Sequence, residues 1–320
     1  MAAVIVTVTL NAALDRTLTV PNLQLGQRHR ASASLSLAGG KGVNVARALK
    51  RLDVPVVATG LAGGGTGQRI LQELVEESIL HDFVQIRDNS RTSTAVVDPM
   101  ANSFTEIYEW GPQVEPDELD VLREKLRYLS SSAEYVVFAG SLPRGVDIGF
   151  YADAIRDLSR RGVQTVLDCE GEPLRLGVEA EPTIVSPNQR EAEALVGQEF
   201  SDDEDFLSAL DLITEMGARN VLITEASGCF ALLREERARR LLQASAPQVE
   251  VVSAVGSGDV LLAGFLAARV AGRTGDEALR AAVAAGTAST LEVGAGRFDP
   301  REATRLAGAV DVAEREPVPS

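Results

Sequence analysis

The sequence predicts a three-layer α/β/α protein, with helices on both faces of a mostly parallel central sheet and a small second sheet beside it. Two observations predict this class. Uniformly apolar strand segments alternate with helical patterns at least six times, which is typical of parallel strands joined by crossover helices. Shorter strands that alternate apolar with polar residues occur in two separate places, as expected of a half-exposed sheet. No linker or low-complexity run divides the sequence, so we expect one domain over residues 1–320.

The elements of the main sheet are predicted from apolar runs and from amphipathic periodicity. Strands are expected at residues 3–10, 56–61, 135–139, 165–168, 183–186, 220–224 and 230–233. Helices are expected at 68–78, 116–129, 149–161, 172–177, 203–216, 259–270 and 276–290, followed by a polar tail. Several of these strands end in polar or glycine-rich loops, which is where open α/β sheets bind their ligands.

The strands of the small sheet are expected in two insertions, at about 12–37 and 90–112. Within these insertions, residues 31–37, 92–97 and 104–110 alternate between apolar side chains and small or polar ones. An accessory sheet of this kind can act as a lid over a site, join two subunits, or do both.

The charge of the chain limits the partners that we expect. The formal net charge is −15 and the sequence pI is about 4.7, which argues against nucleic acid and anionic membrane surfaces. The two cysteines, Cys169 and Cys229, and the two histidines, His29 and His81, lack the spacing of a zinc site. The sequence shows no signal peptide and no apolar run as long as a membrane span, so we expect a cytoplasmic enzyme or binding protein.

The stretch Gly256-Ser257-Gly258-Asp259 opens an apolar helix and predicts a site for phosphoryl transfer. Small residues let backbone N–H groups approach an anion, and a helix start adds free donors and partial positive charge. Asp259 would repel a phosphate, but it suits the base for a hydroxyl that attacks phosphorus. An anion site beside a base is what phosphoryl transfer to an alcohol requires. Taken alone, the same four residues also fit an ordinary helix start.

A second glycine loop, Gly39-Gly40-Lys41, leads into another helix and places Asn44 in its first turn. The loop has neither the Walker A spacing nor the GxGxxG spacing, but its glycines leave room for a ligand against the backbone. Asp15 follows the first strand, where it can bind sugar hydroxyls, although an Asx-turn or a helix cap explains it equally well.

Charged residues elsewhere suggest contacts for a phosphorylated substrate and its metal. In so acidic a chain, Arg28, Arg30 and Arg91 are the natural anchors of a substrate phosphate, although exposed arginines are usually just solvated. Asn188 and Glu191 lie three residues apart at a helix start and share a face. That arrangement suits contact with Mg²⁺ through water, because the ion keeps most of its hydration shell.

The chain resembles the ribokinase-like (carbohydrate kinase PfkB) family over essentially its whole length. The resemblance rests on the loop at 38–44, on the loop at 256–259 and on the Gly-Ser-Leu-Pro and Pro-Asn-x-x-Glu elements between them. The segments 9–15 and 105–112 resemble more specifically the phosphosugar branch, which includes 1-phosphofructokinase, tagatose-6-phosphate kinase and the minor 6-phosphofructokinase. The fold implied is ribokinase-like, with the small sheet as a lid that in this branch often also joins two subunits of a homodimer.

The resemblance implies ATP-dependent transfer of a phosphoryl group to a primary hydroxyl of fructose-1-phosphate, tagatose-6-phosphate or fructose-6-phosphate, with Mg²⁺. By the same resemblance, Asp259 is the base and Gly256, Ser257 and Gly258 form the anion hole. The residues implied for the sugar phosphate are Asp15, Arg28, Arg30, Gly39, Gly40, Lys41, Asn44, Arg91 and Ser141. Those implied for ATP and its metal are Asn188, Glu191, Thr224, Gly228, Gly256 and Gly258, with Glu191 reaching the metal through water.

Some positions depart from the family's pattern, while the catalytic loop keeps it. Ser186 stands where a lysine commonly precedes Pro-Asn, Ser93 and Ala95 replace common lid residues, and Val260 replaces a small residue after the base. Two alternatives stay open. A kinase of an unphosphorylated sugar or nucleoside would not need the three arginines, and a non-catalytic sugar-phosphate-binding regulator could lack the lysine.

Overall fold

A ten-stranded sheet lies at the centre of the computed structural model, which describes residues 3–101, 103–235 and 238–317. The strands of the chain, in order, are β1 (Val4–Thr9), β2 (Ala13–Thr19), β3 (Ala33–Gly39), β4 (Val56–Gly63), β5 (Leu80–Ile86), β6 (Arg91–Asp98), β7 (Ser103–Tyr108), β8 (Ala133–Ala139), β9 (Gln164–Asp168), β10 (Ile184–Val185), β11 (Asn220–Glu225), β12 (Gly228–Glu235), β13 (Ala238–Ser245) and β14 (Asp311–Arg315). The helices are α1 (Lys41–Arg51), α2 (Gly64–Glu76), α3 (Pro116–Leu129), α4 (Phe150–Ser159), α5 (Gly171–Val178), α6 (Gln189–Val196), α7 (Asp203–Met216), α8 (Ser257–Val270), α9 (Gly275–Ser289) and α10 (Pro300–Ala307).

The large sheet is mostly parallel, as predicted. Its strand order is β14-β13-β12-β11-β10-β9-β8-β1-β4-β5. Every pair from β11 to β5 is parallel, whereas the pairs from β11 to β14 are antiparallel. The parallel strands therefore end at one edge of the sheet, where their connecting loops meet.

Apolar side chains cover both faces of this sheet and form two cores. Helices α1, α2, α8, α9 and α10 pack on one face, with Leu49, Leu74 and Phe265 among the buried residues. Helices α3 to α7 pack on the other face, with Leu122 and Tyr151 among the buried residues. Strands with both faces covered are uniformly apolar, which is why β1, β8 and β11 were recognisable in the sequence. The layering confirms the predicted α/β/α fold.

A separate four-stranded sheet has the order β3-β2-β6-β7. Strand β2 pairs antiparallel with β3 and parallel with β6, and the register sets Asp15 beside Leu37 and Ser93. Strand β7 lies at an edge and is exposed along its whole length. The strands coincide with the two predicted insertions, except that β3 continues to Gly39. The lid function of this sheet and the single domain over residues 1–320 stay predictions.

The predicted polar tail is wrong. Helix α10 begins after Asp299, whose side chain accepts a hydrogen bond from Arg301 N at 2.8 Å, and Ala303 and Leu306 are buried in the core. Strand β14 then pairs with β13 at the end of the large sheet. Strands β5 and β13 were also missing from the prediction, and helix α2 begins at Gly64 rather than at residue 68. In the part of the chain that is described, no helix combines the length and the apolar character needed to cross a bilayer.

Candidate active site

The loops at the carboxyl ends of the parallel strands bring most of the predicted site residues to one edge of the sheet. Asn11 follows β1, Ser141 follows β8, Asp168 ends β9 and Asn188 follows β10. Because β1, β8, β9 and β10 run in the same direction, these residues lie at the same edge. The amino ends of α1 and α8 adjoin them, as the direct contacts described below show.

Asp259 lies in the first turn of α8 and is buried, with 6% of its surface exposed. Its Oδ2 atom accepts a hydrogen bond of 2.8 Å from Nδ2 of Asn44, which belongs to the first turn of α1. Burial and, less strongly, the Asp168 carboxylate raise the pKa of Asp259, whereas Lys41 and the Asn44 hydrogen bond lower it, and the resulting pKa is about 7. A carboxyl whose pKa lies near neutrality is suited to accept a proton from an alcohol.

The glycines ahead of Asp259 leave space at the amino end of α8. Gly256 has a φ of 77°, and a Cβ atom there would lie 2.7 Å from Cβ of Ala295. A Cβ atom on Gly258 would instead meet nothing within 4 Å. Cα–Cβ bonds of a helix tilt toward its amino end, so this open space lies where an anion would meet the free N–H groups of the first turn.

Lys41, predicted to bind the sugar, connects the first glycine loop to residues predicted for ATP and its metal. Its Nζ atom lies 2.6 Å from Oδ1 of Asp168 and 3.0 Å from Oε1 of Glu191. Burial disfavours the ammonium ion, but the carboxylates of Asp168, Glu191 and Asp259 together raise the pKa of Lys41. The lysine therefore carries a positive charge between α1, the end of β9 and α6.

Asn188 and Glu191 form a capping box at the start of α6. Asn188 Oδ1 accepts a hydrogen bond from Glu191 N at 3.0 Å, and Glu191 Oε2 accepts one from Asn188 N at 2.9 Å. Each oxygen of the Glu191 carboxylate thus accepts a hydrogen bond, one of them from Lys41. Across the described residues, no group of three or more His, Cys, Asp or Glu side chains is arranged to hold a metal directly. The side-chain oxygens of Asn188 and Glu191 suit a metal ion that is bound through water. The contact of Glu191 with Mg²⁺ stays a prediction.

The expected sugar side of the site is formed by Asp15, Gly39 and Arg91. Gly39 lies so close to the Asp15 carboxylate that any side chain at position 39 would overlap it. Burial raises the pKa of Asp15 to about 6, against the influence of Arg91 and Arg47. The guanidinium of Arg91 lies 5.9 Å from the ring centre of Tyr108 and its Nε donates to Asn11 O at 3.3 Å.

Ser141 joins this side of the site through Asn11. Asn11 Nδ2 donates a hydrogen bond of 3.0 Å to Ser141 Oγ, while Asn11 Oδ1 is buried and accepts no hydrogen bond from any described residue. Asn11 thus connects the end of β1 to Ser141, and its Oδ1 atom packs against Gly111.

Arg28 and Arg30 do not join Arg91 in this structure. Both are exposed in the connection between β2 and β3. That connection follows Thr19, whereas Arg91 pairs with Ala13 at the opposite end of β2. Of these three arginines, only Arg91 therefore lies beside Asp15. The phosphate-binding role of Arg28 and Arg30 stays a prediction.

The two residues expected to border the nucleotide occupy the β11–β12 region. Thr224 N donates to Pro187 O at 3.0 Å, which places Thr224 beside the Pro-Asn-x-x-Glu element. Gly228 approaches the carbonyl of Ala244 so closely that no side chain would fit there. This close approach alone explains why position 228 is a glycine. A contact between Gly228 and the nucleotide stays a prediction.

Sequence reasoning assigned no role to two charged residues that the structure places in or beside the site. Asp168 directly follows a buried strand segment, the same signal that singled out Asp15. Arg47 lies three residues after Asn44, on a helix whose neighbouring residues are apolar, and it is buried. A charged residue within an apolar helical face was the available signal for it.

Comparison with known proteins agrees with this geometry. Residues 6–302 match the model of the pfkB family of carbohydrate kinases. Phosphofructokinase-2 from Escherichia coli, solved in complex with substrates and products, is 28% identical and superposes with a TM-score of 0.88 over 95% of this chain and 98% of its own. A protein described as a possible 1-phosphofructokinase from Thermotoga maritima is 25% identical, with a TM-score of 0.86 over 98% of this chain and 100% of its own.

A more distant structure shares the fold. Ribokinase from Arabidopsis thaliana, complexed with ribose and ATP, is 22% identical and has a TM-score of 0.74 over 96% of this chain and 99% of its own. This similarity confirms the ribokinase-like fold. The family match shows that the chain is a sugar kinase that belongs to the pfkB family of carbohydrate kinases.

Proposed function

We propose that the protein transfers the γ-phosphoryl group of ATP to a primary hydroxyl of a phosphorylated ketohexose. The substrates proposed are fructose-1-phosphate, tagatose-6-phosphate and fructose-6-phosphate, each of which would give a ketohexose bisphosphate. The names of the E. coli and T. maritima relatives support a phosphofructose substrate. We place the reaction in the cytoplasm.

The observation that carries the proposal is the position of Asp259 behind the open amino end of α8. The carboxylate is buried, oriented by Asn44 and held near neutral pKa. The space beside Gly258 is open at this helix start, where N–H groups lack helical partners, although Ser257 N already donates to Ala254 O at 3.2 Å. A base and an anion site therefore adjoin each other, as in-line phosphoryl transfer requires.

The chemistry proceeds as a single displacement. The acceptor hydroxyl oxygen forms a bond to the γ-phosphorus while the bond from that phosphorus to the β–γ bridging oxygen breaks, and ADP leaves. Asp259 accepts the hydroxyl proton during the attack. The amides at residues 256–258 stabilise the charge on the transferred group.

Asn188 and Glu191 would organise the ATP phosphates and the hydrated metal, with Lys41, which the resemblance assigns to the sugar, held beside Glu191. The lysine is held by two carboxylates, so its charge is fixed in place rather than free to move with the ligand. When bound, Mg²⁺ supplies positive charge to the phosphate oxygens. Ser186 leaves one cation fewer here than is common in the family, which makes the fixed charge of Lys41 more important.

One observation favours a kinase of an unphosphorylated sugar or nucleoside as the second candidate. Arg28 and Arg30 lie at the end of β2 opposite to Arg91, so only one of the three predicted phosphate anchors lies beside Asp15. A sugar without a phosphate would need only Asp15, Asn11 and the glycine loop. A non-catalytic regulator is the third candidate, and the intact base argues against it.

A coupled assay of ADP release across phosphorylated and free ketohexoses tests the proposal. We expect the phosphorylated ketohexoses to be turned over with the higher kcat/KM. Faster turnover of a free sugar or nucleoside would favour the second candidate, and sugar-phosphate binding without ADP release would favour the regulator.

The Asp259→Asn variant tests the role of the base in the same assay. We expect kcat to fall by about 10² to 10⁴-fold, the range typical of a lost general base, with nucleotide binding largely kept. Turnover close to that of the natural protein would show that Asp259 is not the base. Equilibrium binding of an ATP analogue to both proteins checks that the loss lies in the chemical step.

A further inference from the structure

Arg47 lies at the centre of a buried network that touches both glycine loops. The residue is in the middle of α1, with 2% of its surface exposed. Its guanidinium makes a bidentate pair with the Glu77 carboxylate, Nε to Oε2 at 2.5 Å and Nη2 to Oε1 at 3.1 Å. Such a pair fixes both the position and the plane of the guanidinium.

The remaining donors of Arg47 contact three places in or beside the active site. Nη1 donates to Asn44 Oδ1 at 3.1 Å and to Ala295 O at 3.0 Å, and Nη2 donates to Ala38 O at 2.5 Å. All five N–H groups of the guanidinium thus have an acceptor. A lysine, with a single nitrogen at its end, could not hold these acceptors in the same geometry.

Two of these contacts hold the loops themselves. Ala38 immediately precedes Gly39 in the first glycine loop. Ala295 packs against Gly256, the first residue of the second glycine loop. The guanidinium therefore fixes both loops relative to each other from beneath the site, on the side away from the ligands.

The third contact decides the direction of the Asn44 amide. An amide side chain has an acceptor end and a donor end, and either could face Asp259. Because Arg47 offers only N–H groups, it can donate only to the Oδ1 end of the amide, and Nδ2 is left to donate to Asp259 Oδ2 at 2.8 Å. A donor facing the carboxylate favours its ionised, basic form.

We propose that Arg47 is a positioning residue of the kinase reaction, which holds the Asn44 amide toward Asp259 and fixes the two glycine loops at their working separation. Arg47 itself touches neither substrate nor the reacting atoms. This inference rests on the proposed function, since it presumes that Asp259 is the base.

The Arg47→Lys variant tests the inference with a readout that a merely structural role would not change. We expect kcat to fall by about 10- to 100-fold, as for a small misplacement of catalytic groups, while the KM values for ATP and sugar phosphate change little. We also expect the acid limb of kcat/KM to move to higher pH, because the Asn44 amide is free to turn its oxygen toward Asp259. The other groups that face Asp259, namely Lys41, Asp168 and Asp15, are unchanged in this variant.

Glu77→Gln provides a second test that leaves Arg47 in place. The neutral amide cannot hold the guanidinium by a bidentate ionic pair, and Glu77 lies at the end of α2, outside the site. We expect a smaller fall in kcat and a smaller shift of the acid limb of kcat/KM than in Arg47→Lys. If Arg47→Lys does not fold, this variant decides the question, because it keeps the Arg47 side chain and changes a partly exposed position.

Arg51→Lys is the matched control. Arg51 lies on the same helix, is half-buried and donates to Phe298 O at 2.9 Å, away from both glycine loops. We expect its kcat and pH profile to match those of the natural protein. If folded Arg47→Lys and Glu77→Gln behave like this control, or lose turnover only in proportion to their folded fraction, the inference is overturned.

Asp259→Asn, measured in parallel, separates this inference from the proposed function. Normal turnover in Asp259→Asn would overturn the assignment of the base and the inference with it. An inactive Asp259→Asn beside a fully active Arg47→Lys with an unchanged pH profile would overturn the positioning role alone.

Discussion

At Asp259, burial and hydrogen bonding act on the carboxyl group in opposite directions. Burial and the neighbouring Asp168 raise its pKa, and Lys41 and Asn44 lower it, so that the resulting value is about 7. A base with a much lower pKa would accept a proton weakly, and one with a much higher pKa would be protonated in the cell. The balance at this residue therefore matters as much as its position.

The pH dependence of the reaction follows from this balance. Asp259 can accept a proton only when it is ionised, so we expect kcat/KM to be constant above about pH 7 and to fall as the pH drops through that value. Asp15, with a pKa of about 6, would add a second loss at lower pH if its carboxylate binds the sugar. Initial rates from pH 5 to pH 9 measure the profile, and a flat profile down to pH 5 would contradict it.

Arg91 is the residue that should distinguish a phosphorylated substrate from a free one. It lies beside Asp15, whereas Arg47, the other arginine that acts on the Asp15 carboxyl, is buried within α1. We expect Arg91→Ala to raise KM for the phosphorylated ketohexose by about 10- to 100-fold, as for the loss of a charge-assisted hydrogen bond, with a smaller effect on a free ketohexose.

A neighbouring arginine provides the control for this prediction. Arg16 directly follows Asp15 in β2 and is exposed. Because successive side chains of a strand point to opposite faces, Arg16 points away from the face that carries Asp15. Arg16→Ala should leave KM for both classes of sugar unchanged. An equal effect of Arg91→Ala on phosphorylated and free sugars would contradict a phosphate-binding role and favour the kinase of unphosphorylated substrates.

At the scale of elements, the accuracy of the sequence prediction depended on local signals. Helices α3 and α7 were predicted at their observed bounds, because Pro116 occupies the first turn of one and Asp202 caps the other. Strands β5 and β13 were missed because each lies toward an end of the sheet and carries polar residues, so neither forms an apolar run. Pairing with a distant neighbour, which the sequence does not display, makes them strands.

The same distinction applies to the candidate site. Strand ends and helix starts could be predicted locally, and they contain Asn44, Asn188 and Asp259, whereas Asp15 lies within β2 rather than in a loop. The contacts between these loops could not be predicted, because the ion pairs of Lys41 with Asp168 and Glu191 join residues more than 100 positions apart. Only the order of strands in the sheet brings such residues together.

The amino end of α8 allows a test with two glycines that differ in their surroundings. Gly258 is in a helical turn and faces open space, so we expect Gly258→Ala to leave the melting temperature unchanged. We expect its kcat/KM for ATP to fall at least about tenfold, because the methyl group occupies the space intended for the phosphate and shields the N–H groups.

Gly256→Ala provides the comparison, since we expect it to lower the stability of the fold, which Gly258→Ala should leave unchanged. The left-handed φ of 77° and the contact with Ala295 should destabilise the fold itself, by roughly 1–2 kcal/mol for the backbone alone. Thermal unfolding and ATP titration of both variants separate the two effects. Normal use of ATP by Gly258→Ala would contradict the anion site and leave the loop as an ordinary helix start.

At the scale of the whole molecule, the small sheet presents apolar side chains to solvent. Phe104, Ile107 and Trp110 are 46%, 58% and 87% exposed, and the edge strand β7 has a free row of backbone groups. The register places Leu35, Val97 and Phe104 on the same face as Asp15 and Tyr108, with Glu106 between Phe104 and Tyr108, whereas Ile107 lies on the opposite face. Exposed patches and edges of this kind usually mark an interface.

We therefore predict that two copies of the chain associate through this sheet. Sedimentation equilibrium should give a mass of twice 33.9 kDa. Phe104→Glu should shift the equilibrium to the monomer, because it places a charge within the apolar face. Tyr128→Glu on α3 is the matched control, since Tyr128 is an aromatic residue with 77% exposure that lies outside the small sheet, and it should remain dimeric. A fully active monomer of the natural protein at assay concentrations would contradict the prediction, and it would leave the sheet to act only as a lid over its own site.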